Sequence, residues 1–161
     1  MTLNNIWVFA QADGDTASTA TLELLSKANT LGGSVTAFVA GSAGGAAAAF
    51  ADHGAAKIYE TGDLAGALPG PAVSSAMQAV INGGDAPDLI MFPQNYEGRD
   101  VMARLSVKLD RTVLTNSTDI TVDGDSVTVQ TPIFGGSKLV NTTFTGERPF
   151  LAAFRPKSFE A

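Results

Sequence analysis

Short strand-like segments, each followed by a helix-like segment, constrain the fold of this chain more than any other feature. The continuous apolar run Ile6 to Ala10 comes first, and similar segments cover Val35 to Ala40 and Asp88 to Phe92. A run without polar alternation is typical of a strand that is covered on both faces, as in a parallel sheet. We therefore predict an α/β fold, a three-layer parallel sheet with helices on both faces, of the Rossmann-like (adenine nucleotide alpha hydrolase-like) kind.

Helix start and stop signals lie between these strands. Ser18 is placed to cap a helix in which Leu24, Ala28 and Leu31 share one face, and Gly32-Gly33 ends it. The other predicted elements are helices at Gly44 to His53, at Ala72 to Ile81 and around Val101, Leu105 and Leu109, with strands at Ile58 to Thr61 and from Val113-Leu114 onward.

Beyond about Asn116 the pattern changes to alternating polar and apolar residues. Asp123-Gly124-Asp125 lies between two such segments and has the turn chemistry of a hairpin. Leu139 to Thr145 and Phe150 to Phe154 are predicted as two further antiparallel strands. We expect one α/β domain over 1–161, with a parallel body at 1–116 and an antiparallel β meander at 117–157.

Composition excludes several classes of function. The chain has 161 residues, 45% of them hydrophobic, and a net charge of −6, which suits one compact domain and disfavours nucleic acid as a partner. With no cysteine and one histidine it has no disulfide, no cysteine-held cluster and no multi-histidine metal site. The first apolar run is too short for a signal peptide or a membrane span, so we expect a cytoplasmic protein without a membrane partner.

The residues that resemble catalytic or metal-binding motifs lack the companions which those motifs need. Asp13-Gly14-Asp15 and Asp123-Gly124-Asp125 begin like calcium loops, but Leu24 and Phe134 stand where a calcium loop has its glutamate. His53 follows no nucleophile elbow, so we interpret it as a surface histidine. We predict no metal site and no catalytic residue, although a hydrolase that uses the acidic loops is an alternative.

A glycine-rich loop, Gly41-Ser42-Ala43-Gly44-Gly45, is the best candidate for a phosphate cradle. With Gly54 it resembles the nucleotide signature of universal stress proteins, although it comes early in the chain and Ala55 follows it. A module of that type that binds AMP or ATP is therefore the alternative function.

In open parallel sheets ligands bind beyond the carboxyl ends of the strands. Two loops would border such a crevice, and the candidate residues in or beside them are Gln11, Asp13, Gln94, Asn95 and Arg99. Arg99 and Asp100 are also typical of an exposed first helical turn. Tyr96 and Trp7 could stack on a ring system, but Trp7 lies in a buried strand and is expected in the core.

Five stretches of the chain carry a resemblance to a known family. They are Ile6 to Ala10 with Ala20 to Leu25, Val35 to Gly41, Gly54 to Tyr59, Asp88 to Ile90 with Gly98 to Leu105, and Pro132 to Gly136 with Arg155 to Phe159. In this order and spacing, ending in Arg-Pro-x-x-Phe, they resemble the N-terminal domain of the electron transfer flavoprotein alpha subunit over nearly the whole chain.

The resemblance implies a heterodimer with a beta subunit, in which FAD relays electrons from dehydrogenases. In that family FAD is held mainly by a second alpha-subunit domain, which would begin beyond Ala161. The resemblance therefore implies that this chain is a scaffold without flavin and without catalysis of its own, which exposes an apolar patch for its partner. Gln11 stands where an acidic residue is common in the family.

Overall fold

The computed structural model describes residues 3–161. Its strands are β1 (Asn5–Ala10), β2 (Ala12–Asp13), β3 (Thr16–Ala17), β4 (Ser34–Val39), β5 (Ala55–Glu60), β6 (Leu89–Pro93), β7 (Val113–Ser117), β8 (Asp119–Asp123), β9 (Ser126–Ile133), β10 (Lys138–Thr143) and β11 (Phe150–Phe154). Its α-helices are α1 (Thr19–Thr30), α2 (Ala47–Asp52), α3 (Pro69–Asn82) and α4 (Tyr96–Leu109).

A six-stranded parallel sheet forms the body, in the order β5-β4-β1-β6-β11-β7. In the centre, Ile6 of β1 pairs with Val35 of β4 on one side and with Leu89 of β6 on the other. Helices α1 and α2 cover one face and α3 and α4 the other, so the predicted fold class is confirmed.

The direction predicted for the strand at Phe150 to Phe154 is wrong. This strand, β11, lies between β6 and β7 and is parallel to both, with Phe150 beside Leu89 and Leu151 beside Val113. All five of its residues are buried. A strand that is apolar on both faces requires cover on both, which an exposed meander does not provide, so β11 belongs to the body.

The antiparallel part is a three-stranded sheet in the order β10-β9-β8. Gly124 turns the chain from β8 to β9 with φ of 59°, which confirms the predicted hairpin. A short 3-10 turn at Phe134–Gly136 then joins β9 to β10. From β10 the chain returns through residues 144–149 to the amino-terminal edge of the parallel sheet, where β11 begins.

Alternate residues of β1 enter two separate cores. Ile6 and Val8 pack on the face that α1 covers, whereas Trp7 and Phe9 pack against α3 and α4. Trp7 is fully buried, which confirms its expected place in the core.

Local signals set the helix ends in most cases. Ser18 caps α1 as predicted, since its Oγ accepts a hydrogen bond of 3.2 Å from the N–H of Thr21. The segment predicted as a helix from Gly44 to His53 begins with a 3-10 turn, Gly44–Ala46, before α2.

No helix within residues 3–161 is both long enough and apolar enough to cross a membrane.

Candidate functional site

Three side chains meet at the carboxyl ends of β1 and β6. Asn95 Nδ2 donates a hydrogen bond of 2.7 Å to Gln11 Oε1, and Gln11 Nε2 donates in turn to a Glu97 carboxylate oxygen. Gln11 and Asn95 therefore lie at the same edge of the sheet. Their polar groups bind each other, so this part of the edge is closed by the chain itself.

Gln94 belongs to a second network on the β7 side of the same edge. Its backbone N–H donates to the carbonyl of Phe154 at 2.7 Å, and its Oε1 accepts from the N–H of Asn116 at 3.0 Å. Asn116 adopts φ of 59° and accepts a bond of 2.6 Å from Arg155 Nε. Gln94 therefore ties β6 to the ends of β7 and β11 and does not face Gln11.

The start of α4 is tightly packed against the end of β6. Asn95 caps the helix, because its Oδ1 accepts a hydrogen bond of 2.8 Å from the N–H of Gly98. A Cβ at Gly98 would lie 2.1 Å from the carbonyl oxygen of Pro93. Only glycine permits this approach, and its N–H is already bound to the Asn95 side chain.

The two other predicted residues lie outside both networks. Asp13 is exposed at the turn between β2 and β3, where its carbonyl accepts a hydrogen bond of 2.8 Å from Thr16 Oγ1. Arg99 is exposed on the first turn of α4, with its guanidinium carbon 5.5 Å from the centre of the Tyr96 ring. Asp13-Gly14-Asp15 is thus a turn, as predicted.

Gly41 to Gly45, the candidate phosphate cradle, already holds an anion from the same chain. The N–H of Ala43 donates a hydrogen bond of 2.6 Å to Glu60 Oε1, and the N–H of Gly41 donates one of 2.8 Å to Thr61 Oγ1. A phosphate here would displace Glu60 or lie beside its negative charge. The loop is therefore poorly suited to AMP or ATP.

His53, interpreted from the sequence as a surface histidine, is half-buried and caps the carboxyl end of helix α2. Its Nδ1 lies 2.7 Å from the carbonyl oxygen of Ala49, one of the last carbonyls of this helix. Among the residues described, 3–161, no three His, Asp or Glu side chains are grouped so that they could hold a metal ion.

Two carboxylates with lowered pKa values lie at the opposite, amino-terminal edge of the sheet. Hydrogen bonds from the Tyr59 hydroxyl and the Lys57 ammonium hold the pKa of Asp85 below its usual range. Burial opposes ionisation of Asp88, but the N–H groups of Asn4 and Asn5 and the Arg148 guanidinium outweigh it and lower its pKa. These contacts tie Asp85 to strand β5, and Asp88 to the start of β1 and to the segment before β11.

An exposed apolar surface lies on the hairpin of β9 and β10. Ile133, Phe134, Leu139 and Val140, which we call the hairpin patch, are 36%, 79%, 59% and 40% exposed. The chain has 16 acidic residues, yet none lies between Ser126 and Thr143, where Lys138 is the one charged residue. Depletion of charge with exposed apolar and aromatic side chains is characteristic of the core of a protein interface.

The comparison with known proteins decides the family. Residues 6–161 match the model of the electron transfer flavoprotein domain. The chain belongs to the electron transfer flavoprotein family. It is 31% identical over 153 residues to the electron transfer flavoprotein subunit alpha of Syntrophomonas wolfei subsp. wolfei, which covers 93% of this chain and 47% of that protein. The chain thus spans about half the length of this curated relative, and its resemblance to an alpha-subunit N-terminal domain is confirmed.

The Arg-Pro-x-x-Phe segment of this electron transfer flavoprotein domain packs back onto the body. The N–H of Lys157 donates a hydrogen bond of 2.9 Å to the buried Glu23, and the ring of Phe159 lies 5.3 Å from that of Phe154. Gln11 Nε2 donates to Glu97, which an aspartate or glutamate at this position could not do without a bound proton.

The position of the hairpin patch in this electron transfer flavoprotein chain was not predicted from the sequence. The available signal was the charge-free stretch from Ser126 to Ser137, which ends in Ile133-Phe134-Gly135-Gly136.

Proposed function

We propose that this chain is the scaffold and partner-docking domain of an electron transfer flavoprotein alpha subunit. In the complete heterodimer, FAD would relay electrons from dehydrogenases, and this chain would bind the beta subunit. The family match and the alpha-subunit relative support the general role. We further propose that the complex is cytoplasmic and that this domain catalyses no reaction.

We place FAD outside this chain because the strand ends do not suit a flavin nucleotide. The donors that a pyrophosphate would need are engaged: the N–H of Ala43 with Glu60, and the N–H of Gly98 with Asn95. The amide of Gln11 is held between Asn95 and Glu97. A flavin nucleotide bound here would have to displace the side chains that now accept from these N–H groups.

The observation that carries the docking role is the hairpin patch. It places four large apolar side chains on a hairpin with one charge, in a chain whose net charge is −6. Removing apolar surface from water is favourable by about 25 cal/mol per square ångström, before the entropic cost of association is subtracted. Exposed apolar side chains grouped on one hairpin are characteristic of an interaction site in a folded protein.

The proposal is tested by mixing the purified chain with the purified electron transfer flavoprotein beta subunit of the source organism. Size-exclusion chromatography with light scattering should show a one-to-one complex. The chain by itself should show no flavin absorption at ~450 nm. Failure to form a complex would contradict the docking role. Flavin bound near one per chain in the isolated protein would contradict the placement of FAD.

A further inference from the structure

Trp7 is a buried side chain whose polar group has no hydrogen bond. Its ring is fully buried in the core that α3 and α4 cover. Within residues 3–161, no group accepts a hydrogen bond from its Nε1–H. Buried polar groups in folded proteins are nearly always hydrogen-bonded, and the exceptions include groups with a redox role. Trp7 is also the one tryptophan of the chain, so its chemistry can be followed without interference from another indole.

Two aromatic rings pack against Trp7, and one of them extends toward solvent. The centre of the Trp7 ring lies 5.1 Å from that of Phe38 and 6.0 Å from that of Tyr59. The rings of Phe38 and Tyr59 are in turn 5.4 Å apart. These are the separations of aromatic rings in contact. Since electron tunnelling weakens steeply with distance, Trp7 and the half-buried Tyr59 are well placed to exchange an electron.

The Tyr59 hydroxyl has a proton acceptor beside it. It donates a hydrogen bond to Asp85 Oδ2, and Lys57 Nζ donates to the same oxygen at 2.9 Å. The other carboxylate oxygen accepts a bond of 3.3 Å from Asn5 Nδ2. The bonds from Tyr59 and Lys57 hold the pKa of Asp85 below its ordinary value. Asp85 is therefore an ionised carboxylate at neutral pH, able to take a proton.

Trp7 and Tyr59 differ in how each can lose an electron. Oxidised Trp7 would be a radical cation without a base for its N–H, and a positive charge in an apolar core is costly. Oxidised Tyr59 can pass its hydroxyl proton to Asp85 and become a neutral radical. The Lys57 ammonium, 5.1 Å from the centre of the Tyr59 ring, disfavours a tyrosine radical cation, so the electron and the proton must leave together. Transfer of an electron from Tyr59 to oxidised Trp7 is therefore favourable.

We propose that Tyr59 and Asp85 form a redox-active pair that reduces oxidised Trp7. A one-electron oxidant, such as an oxygen-derived radical, first takes one electron from Trp7. Tyr59 then gives one electron to Trp7, which becomes neutral tryptophan, and gives its hydroxyl proton to Asp85, which becomes a neutral acid. A thiol in solution restores Tyr59 by donating a hydrogen atom, and Asp85 releases its proton to solvent. The pair acts without the beta subunit and without FAD, so it goes beyond the proposed function.

Laser-flash ionisation of Trp7 in the purified chain tests this pair. Light that tryptophan absorbs and tyrosine does not ionises the single tryptophan, with a scavenger present for the ejected electron. The distinct absorption bands of tryptophan and tyrosyl radicals then follow the reaction. In the wild type, the tryptophan radical should convert to a tyrosyl radical. Tyr59→Phe removes only the hydroxyl and should slow the decay of the tryptophan radical at least tenfold.

Tyr96→Phe is the matched control for the electron step. It changes the other of the two tyrosines, which is 85% exposed at the start of α4, and should leave the conversion unchanged. Equal conversion in Tyr59→Phe and the wild type, or a wild-type tryptophan radical that does not convert, would overturn the proposal. Loss of conversion in Tyr96→Phe with normal conversion in Tyr59→Phe would place the electron donor at Tyr96 and overturn it as well.

Asp85→Asn tests the proton step. Asparagine keeps an oxygen that accepts from the Tyr59 hydroxyl but is a far weaker base than a carboxylate, so the conversion should slow at least tenfold. Heavy water should slow the conversion in the wild type, a readout that needs no variant and that a merely structural contact would not move. Equal rates in heavy and light water, or in Asp85→Asn and the wild type, would overturn the role of Asp85. No measurement here involves the beta subunit, so failure of the docking role would leave this pair standing.

Discussion

Arg148 Nη1 donates a hydrogen bond of 2.8 Å to Asp88 Oδ1, which fastens the segment before β11 to the segment before β6. The other oxygen of Asp88 accepts hydrogen bonds from the N–H groups of Asn4 at 2.6 Å and Asn5 at 3.1 Å. One carboxylate therefore joins the amino-terminal ends of β1, β6 and β11. The same segment, residues 144–149, leads from the hairpin to the body.

Stability should depend on the charge of Asp88. Its pKa in the folded protein lies below the ordinary value of 3.8, so its contribution is present above that value and disappears as pH falls through the folded pKa. Asp88→Asn should lower the free energy of unfolding by about 1.5–3 kcal/mol at pH 7, and the difference from the wild type should shrink below about pH 4. Urea unfolding at several pH values measures this difference in the free energy of unfolding. Asp123→Asn, at an exposed position, serves as the control. A difference for Asp88→Asn that is independent of pH would contradict the stabilising role of the Asp88 charge.

The approach of α4 to β6 should tolerate no side chain at residue 98. A Cβ in Gly98→Ala would lie 2.1 Å from the Pro93 carbonyl oxygen, so we expect a loss of about 1–3 kcal/mol in the free energy of unfolding, or more. Gly146→Ala is the matched control, because nothing lies within 4 Å of its new Cβ. Thermal and urea unfolding compare the two variants. Equal stabilities would show that the start of α4 is not held this closely.

Glu60 should prevent nucleotide binding at the glycine-rich loop. Because its carboxylate accepts the N–H of Ala43 at 2.6 Å, calorimetric titration with AMP or ATP should show no saturable binding in the micromolar range. Glu60→Gln retains an acceptor oxygen for the N–H of Ala43 but removes the negative charge. Comparing nucleotide binding by this variant and by the wild type separates charge repulsion from occupation of that N–H. Micromolar binding by the wild type would support the alternative of a nucleotide-binding module.

Much of the fold could be predicted from local pattern because the pattern reports burial. The continuous apolar run Ile6 to Ala10 is a central strand, and Asp123-Gly124-Asp125 turns a hairpin, as predicted. Phe150 to Phe154 is equally apolar, but its position after an alternating segment favoured the meander. Strand order is decided by packing between distant residues, such as Phe150 with Leu89, and this contact is not visible in local sequence.

The candidate site was predictable in part for the same reason. Gln11 and Asn95 each follow a parallel strand, so the topology brings them to one edge and they bind each other at 2.7 Å. The contact of Glu60 with Ala43 depends on the register of β5 beside β4, which sequence pattern does not fix. The exposure of Phe134 likewise depends on how far the hairpin extends from the body.

The docking role of the hairpin patch is tested most directly by two leucines that are both exposed. Leu139 in the patch is 59% exposed, and Leu68, which precedes α3 on the side of the strand ends, is 73% exposed. In titrations with the beta subunit, Leu139→Asp should raise Kd at least tenfold, equivalent to about 1.4 kcal/mol, while Leu68→Asp leaves Kd unchanged. Loss of binding in Leu68→Asp with normal binding in Leu139→Asp would place the interface at the strand ends and contradict the account.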